Sequence, residues 1–386
     1  MQSQTGNGIT GFHVFLSPIR NESRFLKEAK TSIYHGIVEQ VVVVGLGEET
    51  DEEYQQLGDR IFVWRIKLRT RRWPKNVAMQ LLKFVEWTLR ILFYAGSFRI
   101  AFVQTHSLSA LPVGVILKLF RSYPLVYDAH ELETEVEETK GMRKKLAKYV
   151  EKYFIKYVDA TIVVSNEIRN WYINSYQLKS IETVMNCPNF TQKSKSTLLR
   201  DEFKINDQQY IVIYQGGLSE DRGIKLLIDA FENKMSQKFV LILMGYGELK
   251  TYVMEKAARN KNIIFKDAVK PSEVLNYTSS ADIGVHWIDG SCMNHQFCLP
   301  NKLFEYMMAG LPVAVSNLPE MKGLIRKHKV GVIIENWAPE SLEIALQKII
   351  EMKPEEISNN VEAASKIFNW ESQEIKYVHL LRKIIH

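Results

Sequence analysis

The sequence predicts an α/β protein made of two doubly wound domains, each a mostly parallel sheet with helices on both faces. Three observations carry this. Short apolar runs alternate with helix-length segments, which is the pattern of βα units whose strands are buried on both sides. The alternation begins near residue 11, ends near 166 and restarts after 205. Between the two series, residues 188–206 turn to Lys, Ser, Thr and Asn behind Pro188, the composition of an exposed connection.

In order, the first series reads GFHVFLSPI, VVVVGLG, IFVWRIKL, IAFVQTH, PLVYDAHE and ATIVVSN, and the second YIVIYQGGL, KFVLILMGYGE, NIIFKDAV, ADIGVHWI, LPVAVS and VGVII. Each run is strand-length and apolar, and each precedes a helical or loop stretch. In residues 370–386 the apolar positions Trp370, Ile375, Tyr377, Val378, Leu381 and Ile385 recur at roughly helical spacing, predicting a terminal helix. The expected domains are residues 1–190 together with 370–386, and residues 205–369.

At 386 residues the chain is long enough for two or three buried cores. With 46% hydrophobic and 24% charged residues and only 20 Gly and 11 Pro, disordered and fibrous classes are excluded. Lys and Arg number 50 against 44 Asp and Glu, a net +6, which suits anionic lipid, nucleotide or nucleic acid without choosing among them. Cys187, Cys292 and Cys298 form no CxxC pair and fit plain thiols in a reducing compartment. The polar start of the chain lacks a signal-peptide pattern, so a cytoplasmic protein is expected. The uncharged run 100–117 includes Gln104, His106, Ser107, Pro112 and Gly114, which fits a strand, a polar loop and a buried helix better than a membrane span.

Ligands of open parallel sheets sit at the carboxyl ends of the strands, where helix N-termini offer free N–H groups. Four such ends stand out. QGGLSEDRG places Gly216 and Gly217 before Arg222, whose guanidinium fork suits phosphate oxygens; a plain strand-to-helix turn with a solvated Arg is the lesser alternative. MGYGE carries Gly245 and Gly247 at the next end. In LPNKLFEYMMAGLP, Lys302 and Glu305 stand near a helix start, either as a diphosphate and sugar-hydroxyl site or as a surface pair. In YDAHE an apolar strand runs into Asp128, His130 and Glu131; His130 is a candidate for proton traffic at neutral pH or a satisfied structural histidine.

Residues 69–99 open with Arg69, Arg71, Arg72 and Lys75 around Trp73 and continue as an apolar helix. They read as a peripheral membrane contact or as a helix buried in the first core. The basic stretch KGMRKKLAKYVEKYFIKY reads as a solvated helix face, or as a reinforcement of that contact. No zinc finger or RRM signature occurs, so no nucleic-acid partner is expected. DxD, GxSxG, HExxH and His/Cys metal spacings are all missing, so no metal site is expected.

Taken together, YDAHE, QGGLSEDRGIKLLIDAF, LMGYGE, SADIGV and LPNKLFEYMMAGLPVAVSNLPEM resemble the GT-B glycosyltransferases of family 4, in the family's order and over nearly the whole chain. The resemblance implies two Rossmann-like domains facing a cleft, acceptor contacts on the first and the nucleotide on the second, with the terminal helix returning to the first. It implies that Arg222 and Lys302 hold the donor diphosphate beside Gly216 and Gly217, with backbone N–H groups at Asn301 and Lys302 and with Leu303 among the donor-binding residues. Glu305 matches the ribose-binding second glutamate of the E-x7-E motif, Gly245 and Gly247 the wall beside the base, and His130 the first-domain histidine near the bond that breaks. The sequence departs from the family at Phe297, where the first glutamate would stand, at Gly217 for an arginine, at Arg222 for a lysine, and at SPIRNES for a glycine-rich turn.

The expected activity is therefore retaining, metal-independent transfer of a sugar from a nucleotide-diphosphate co-substrate to a glycan or lipid-linked glycan. A UDP-sugar is favoured and a GDP-sugar comes next, with no permanently bound cofactor. The expected setting is bacterial surface polysaccharide synthesis at the inner face of the cytoplasmic membrane. A nucleotide-sugar 2-epimerase and a catalytically silent sugar-nucleotide-binding subunit are the alternatives.

Overall fold

The computed structural model describes residues 8–20, 22–137, 139–191, 194–233 and 235–385. The chain divides into two compact units, Met1–Val184 with Glu374–His386, and Met185–Gln373.

The first unit is built on eight strands: β1 (Ile9–Val14), β2 (Gln40–Leu46), β3 (Tyr54–Gln56), β4 (Ile61–Ile66), β5 (Arg99–His106), β6 (Leu125–Ala129), β7 (Ala160–Val163) and β8 (Ile181–Thr183). Their order is β3-β4-β2-β1-β5-β6-β7-β8. Every pairing is parallel except that of the short edge strand β3 with β4. Val41, Val42, Val43 and Val44 are all fully buried, as an uninterrupted β-branched run must be when both sheet faces are covered. On the face bearing the helix Ser23–Tyr34, the strands place polar side chains inside: Gln104, His106 and Asp128 are buried.

The second unit holds β9 (Tyr210–Gly217), β10 (Phe239–Tyr246), β11 (Ile263–Asp267), β12 (Ile283–His286), β13 (Val313–Ser316) and β14 (Gly331–Ile334), ordered β11-β10-β9-β12-β13-β14 and wholly parallel. The period of two sorts side chains between two cores. Ile211 and Ile213 join one core with Leu303, Phe304 and Tyr306; Val212 and Tyr214 join the other with Leu227 and Leu342. Gly284 admits the Tyr306 ring, since a Cβ there would lie 2.3 Å from it, so the helix Asn301–Met308 seats directly on β12.

All twelve apolar runs named above contain strands. Three expectations need correction. Residues 188–206 are not a free connection: Leu199 and Ile205 are buried in the second unit's core, the helix Leu198–Phe203 forms there, and the Leu199 N–H donates to Ser280 Oγ at 2.7 Å. The division therefore falls at Val184 and Met185 rather than after residue 190. The terminal helix Trp370–Ile385 joins the first unit only from Glu374. Finally, the helix Val77–Ala95 buries only one side, through Trp87, Ile91 and Ala95; Val77, Leu81, Leu89 and Phe93 on the other are exposed. Among the described residues, no helix is long and apolar enough to cross a membrane.

Candidate active site

In the second unit the expected residues gather at the carboxyl ends of β9 and β12. The first turn of Asn301–Met308 starts behind Pro300 with no side-chain cap, leaving a positive dipole end. Asn301 is exposed. Leu303, by contrast, is a fully buried core side chain whose N–H is taken by Pro300 O at 3.0 Å, so it has no amide to offer a ligand. Lys302 does not pair with Glu305 across the helix surface. Its Nζ lies 3.6 Å from the Tyr214 ring centroid, a cation–π contact, and a Cβ on Gly216 would lie 3.5 Å from it. Burial, and then the Arg222 charge, bring its pKa down to about 7. Glu305 instead accepts from Gln215 Nε2 at 2.5 Å, and Gln215 Oε1 accepts from Thr278 Oγ1 at 2.5 Å. A buried amide thus fixes the carboxylate.

Arg222 ends the short 3-10 turn Glu220–Arg222; its Nε is 3.1 Å from Asp221 Oδ2 and its side chain is 41% exposed, enough to meet a ligand. The turn is held by backbone approach. Gly223 has φ +70°, and a Cβ there would lie 1.9 Å from Trp287 O. Gly245 is likewise pressed on Gly216 O, at 1.9 Å from its would-be Cβ, and Gly247 on Leu218 O, at 2.4 Å. The close packing of β10 against β9 accounts for both, whatever else they border. Gly217 faces open space. Gly223→Ala should cost about 2 kcal/mol or more through strain and displacement, read as a lowered melting temperature; an unchanged melt would contradict this packing.

His286 was not anticipated. From the pairing Gly284↔Ile213, His286 and Gln215 fall side by side on the face beneath Asn301–Met308. His286 is fully buried and neither ring nitrogen has a hydrogen-bond partner. Burial first, then the charges of Lys302, Arg222 and His295, push its pKa well below the usual value, so it is neutral at pH 7.

In the first unit His130 is no lone histidine. Its Nε2 is 3.2 Å from Asp128 Oδ2 and 3.0 Å from His106 Nδ1, and His106 Nε2 is 2.9 Å from His13 Nδ1. Phe15 stacks on His106 with centroids 3.9 Å apart. Burial takes His106 down to about 4. Arg24 donates to both Asp128 oxygens at 3.0 and 2.9 Å and to Val184 O at 2.8 Å. Burial alone would raise Asp128, but Arg24 and then His130 hold it well below the carboxylate range. His106, Asp128 and His130 are close enough together to bind a metal ion. The Asp128 oxygen they share already accepts from Arg24, however, and a divalent cation would sit against that guanidinium. These residues fit a network anchored by a protein cation. Glu133, near His130, is raised to about 7 by burial. Arg20 donates to Glu48 and Asp51 and is thereby engaged at the loop after β1.

The family model described as Glycosyltransferase Family 4 matches residues 38–189, and the one described as Glycosyl transferases group 1 matches residues 195–366. The chain belongs to the GT-B glycosyltransferases. An uncharacterised glycosyltransferase of Methanocaldococcus jannaschii is 26% identical over 260 residues, 62% of this chain and 61% of its own length. The match thus spans about 61% of that curated relative. Among solved structures, sucrose-phosphate synthase from Thermosynechococcus elongatus superposes with TM-score 0.78 at 15% identity, covering 97% of this chain and 98% of that one. Anabaena HepE in complex with UDP-glucose gives 0.72 at 15% identity, covering 97% and 100%. These likenesses establish the GT-B fold.

Proposed function

We propose that this GT-B glycosyltransferase moves a sugar from a nucleotide-diphosphate donor, a UDP-sugar first and a GDP-sugar next, to a glycan or lipid-linked glycan hydroxyl, with anomeric retention. The observation that carries the reading is Lys302, a half-buried amine that no carboxylate among the described residues pairs with, set beside Gly216 at a helix N-terminus. An ammonium so placed is stabilised by an incoming dianion. Glu305, immobilised by Gln215, accepts the ribose hydroxyls, and Arg222 meets the diphosphate. The occurrence of UDP-glucose in HepE supports the uridine preference.

In the transfer, the bond from the anomeric carbon to the phosphate oxygen breaks as the acceptor oxygen bonds on the same face, and the acceptor proton passes to the departing phosphate. Lys302 and Arg222 offset the charge that develops there. No resident metal or cofactor enters this scheme. His130, with its Nε2 on Asp128 and His106, is the residue we assign to orienting the sugar. The acceptor is membrane-borne and met from the cytoplasmic side, with residues 69–99 contributing through exposed Trp73, Leu81 and Phe93.

A thermal-shift panel of UDP, GDP, TDP and CMP with their sugars tests the reading. A ligand at 100 times its dissociation constant adds about 2.7 kcal/mol, so one nucleotide should shift the melt, and Glu305→Ala should abolish the shift. No shift with any of them would overturn the donor assignment.

A further inference from the structure

The helix Gly141–Phe154 carries a feature that the transfer reaction does not use. Residues 140–157 hold seven Lys and Arg against one Glu, a net charge equal to the +6 of the entire chain. The rest of the molecule is electrically balanced, and its whole excess lies on this segment. The same helix turns an apolar line outward. Met142, Leu146 and Tyr149 are 78%, 65% and 70% exposed, and Tyr153 follows them. Their alternating spacings of four and three put them on one ridge.

The ridge cannot roll inward. On the opposite side Glu151 is buried and accepts the hydroxyls of Tyr127, Tyr172 and Tyr176 at 3.0, 2.6 and 2.8 Å, and Lys144 and Lys148 pair with Glu135. Those contacts fix which face meets solvent. Beside the ridge, Arg143, Lys145 and Lys152 are exposed and no carboxylate among the described residues pairs with them. Lys156 lies over the Tyr153 ring at 4.5 Å.

The neighbourhood continues the surface. The helix Leu111–Arg121 packs alongside and exposes Leu119 and Phe120. The steps β4 to β5, β5 to β6 and β6 to β7 all run the same way across the sheet. Right-handed crossovers therefore bring Val77–Ala95, Leu111–Arg121 and Gly141–Phe154 to one sheet face. A convex apolar ridge edged by interfacial tyrosines and by cations that pair with no carboxylate among the described residues matches a sheet of negative headgroups over hydrocarbon.

We propose that the outer face of Gly141–Phe154 is a docking surface for anionic phospholipid, with Leu146 and Tyr149 entering the headgroup region and Arg143, Lys145 and Lys152 meeting phosphates. It deepens the reading of a membrane-borne acceptor, and rests on that reading for what the contact achieves. The test is flotation of the full chain with vesicles of phosphatidylcholine alone and of phosphatidylcholine with phosphatidylglycerol. Binding is expected only to the anionic vesicles and should weaken as salt rises. Lys145→Gln with Lys152→Gln should weaken it about 30-fold, and Leu146→Ser with Tyr149→Ser at least about tenfold. Both pairs are exposed, and an unchanged melting temperature and nucleotide shift will show the fold and donor site intact. Equal binding to both vesicle types, or wild-type affinity in either double variant, would overturn the surface. A failed nucleotide panel alongside normal flotation would instead remove the transferase reading and leave the surface standing.

Discussion

Arg24→Met should destabilise the first unit by about 3–5 kcal/mol, a large share of the ~5–15 kcal/mol that holds a typical domain together. The guanidinium faces two buried carboxylates, Asp128 and Glu28, at 2.9 and 3.1 Å. Burial first, then the Asp128 charge, pushes the Glu28 pKa well above its usual value, while Asp128 is held well below. Burial thus works against charge on Glu28, while Arg24 keeps Asp128 ionised at neutral pH. Removing Arg24 strands the anion. Asp128, with its depressed pKa, stabilises the fold above its unfolded value near 4, and that contribution disappears as pH falls through the folded value. The Arg24→Met loss should therefore be full at pH 7 and shrink toward acid. Glu28→Gln, which keeps the side chain's shape and leaves Asp128 its Arg24 partner, should cost less than Arg24→Met at pH 7. Denaturant midpoints at pH 7 and at pH 4 decide the matter. A loss below about 1 kcal/mol for Arg24→Met, or an equal loss for Glu28→Gln, would mean that the pair is not the anchor of the first unit.

The strands were legible because parallel sheets covered on both faces need apolar runs, and VVVV or FVLILM cannot be read otherwise. The sequence does not show β3 and β8, three residues each at the two sheet edges, where half the backbone pairing is missing and the runs are too short to display an apolar pattern. The site divides similarly. Strand-end glycines, Arg222, Lys302 and Glu305 declare themselves by residue type. Gln215, Thr278 and His286 act through burial and register, and Leu303 is a core side chain of the helix that carries Lys302 and Glu305. A signal for the first-unit network did exist: His13, Gln104 and His106 interrupt otherwise apolar strands, and polar residues buried in strands need partners. Their partner, Arg24, lies on a helix far away in sequence, and only the fold brings it to Asp128.

Arg222→Ala and Lys302→Met should each lower transfer by about 10²–10³-fold while leaving the melting temperature near that of the unaltered chain. The two are separable by pH. Lys302 is brought down to about 7, by burial first and then by Arg222; Glu305, Cys298 and Asp221 act against the shift, and neutral His286 faces it from β12. In the donor-free protein the amine is therefore largely uncharged at pH 8. A diphosphate favours the ammonium, so binding at pH 8 must take up a proton, and donor affinity must fall as pH rises above 7, by up to about tenfold per pH unit. Calorimetry of UDP binding at pH 8 in two buffers of different ionisation heat measures that uptake, expected to approach one proton per site. Arg222→Ala removes a neighbouring charge that depresses Lys302, so it should move the pH dependence to higher pH while weakening binding. Lys302→Met should abolish the proton uptake altogether. If the Met variant still takes up a proton, the titrating group lies elsewhere and Lys302 is not the cation that meets the diphosphate.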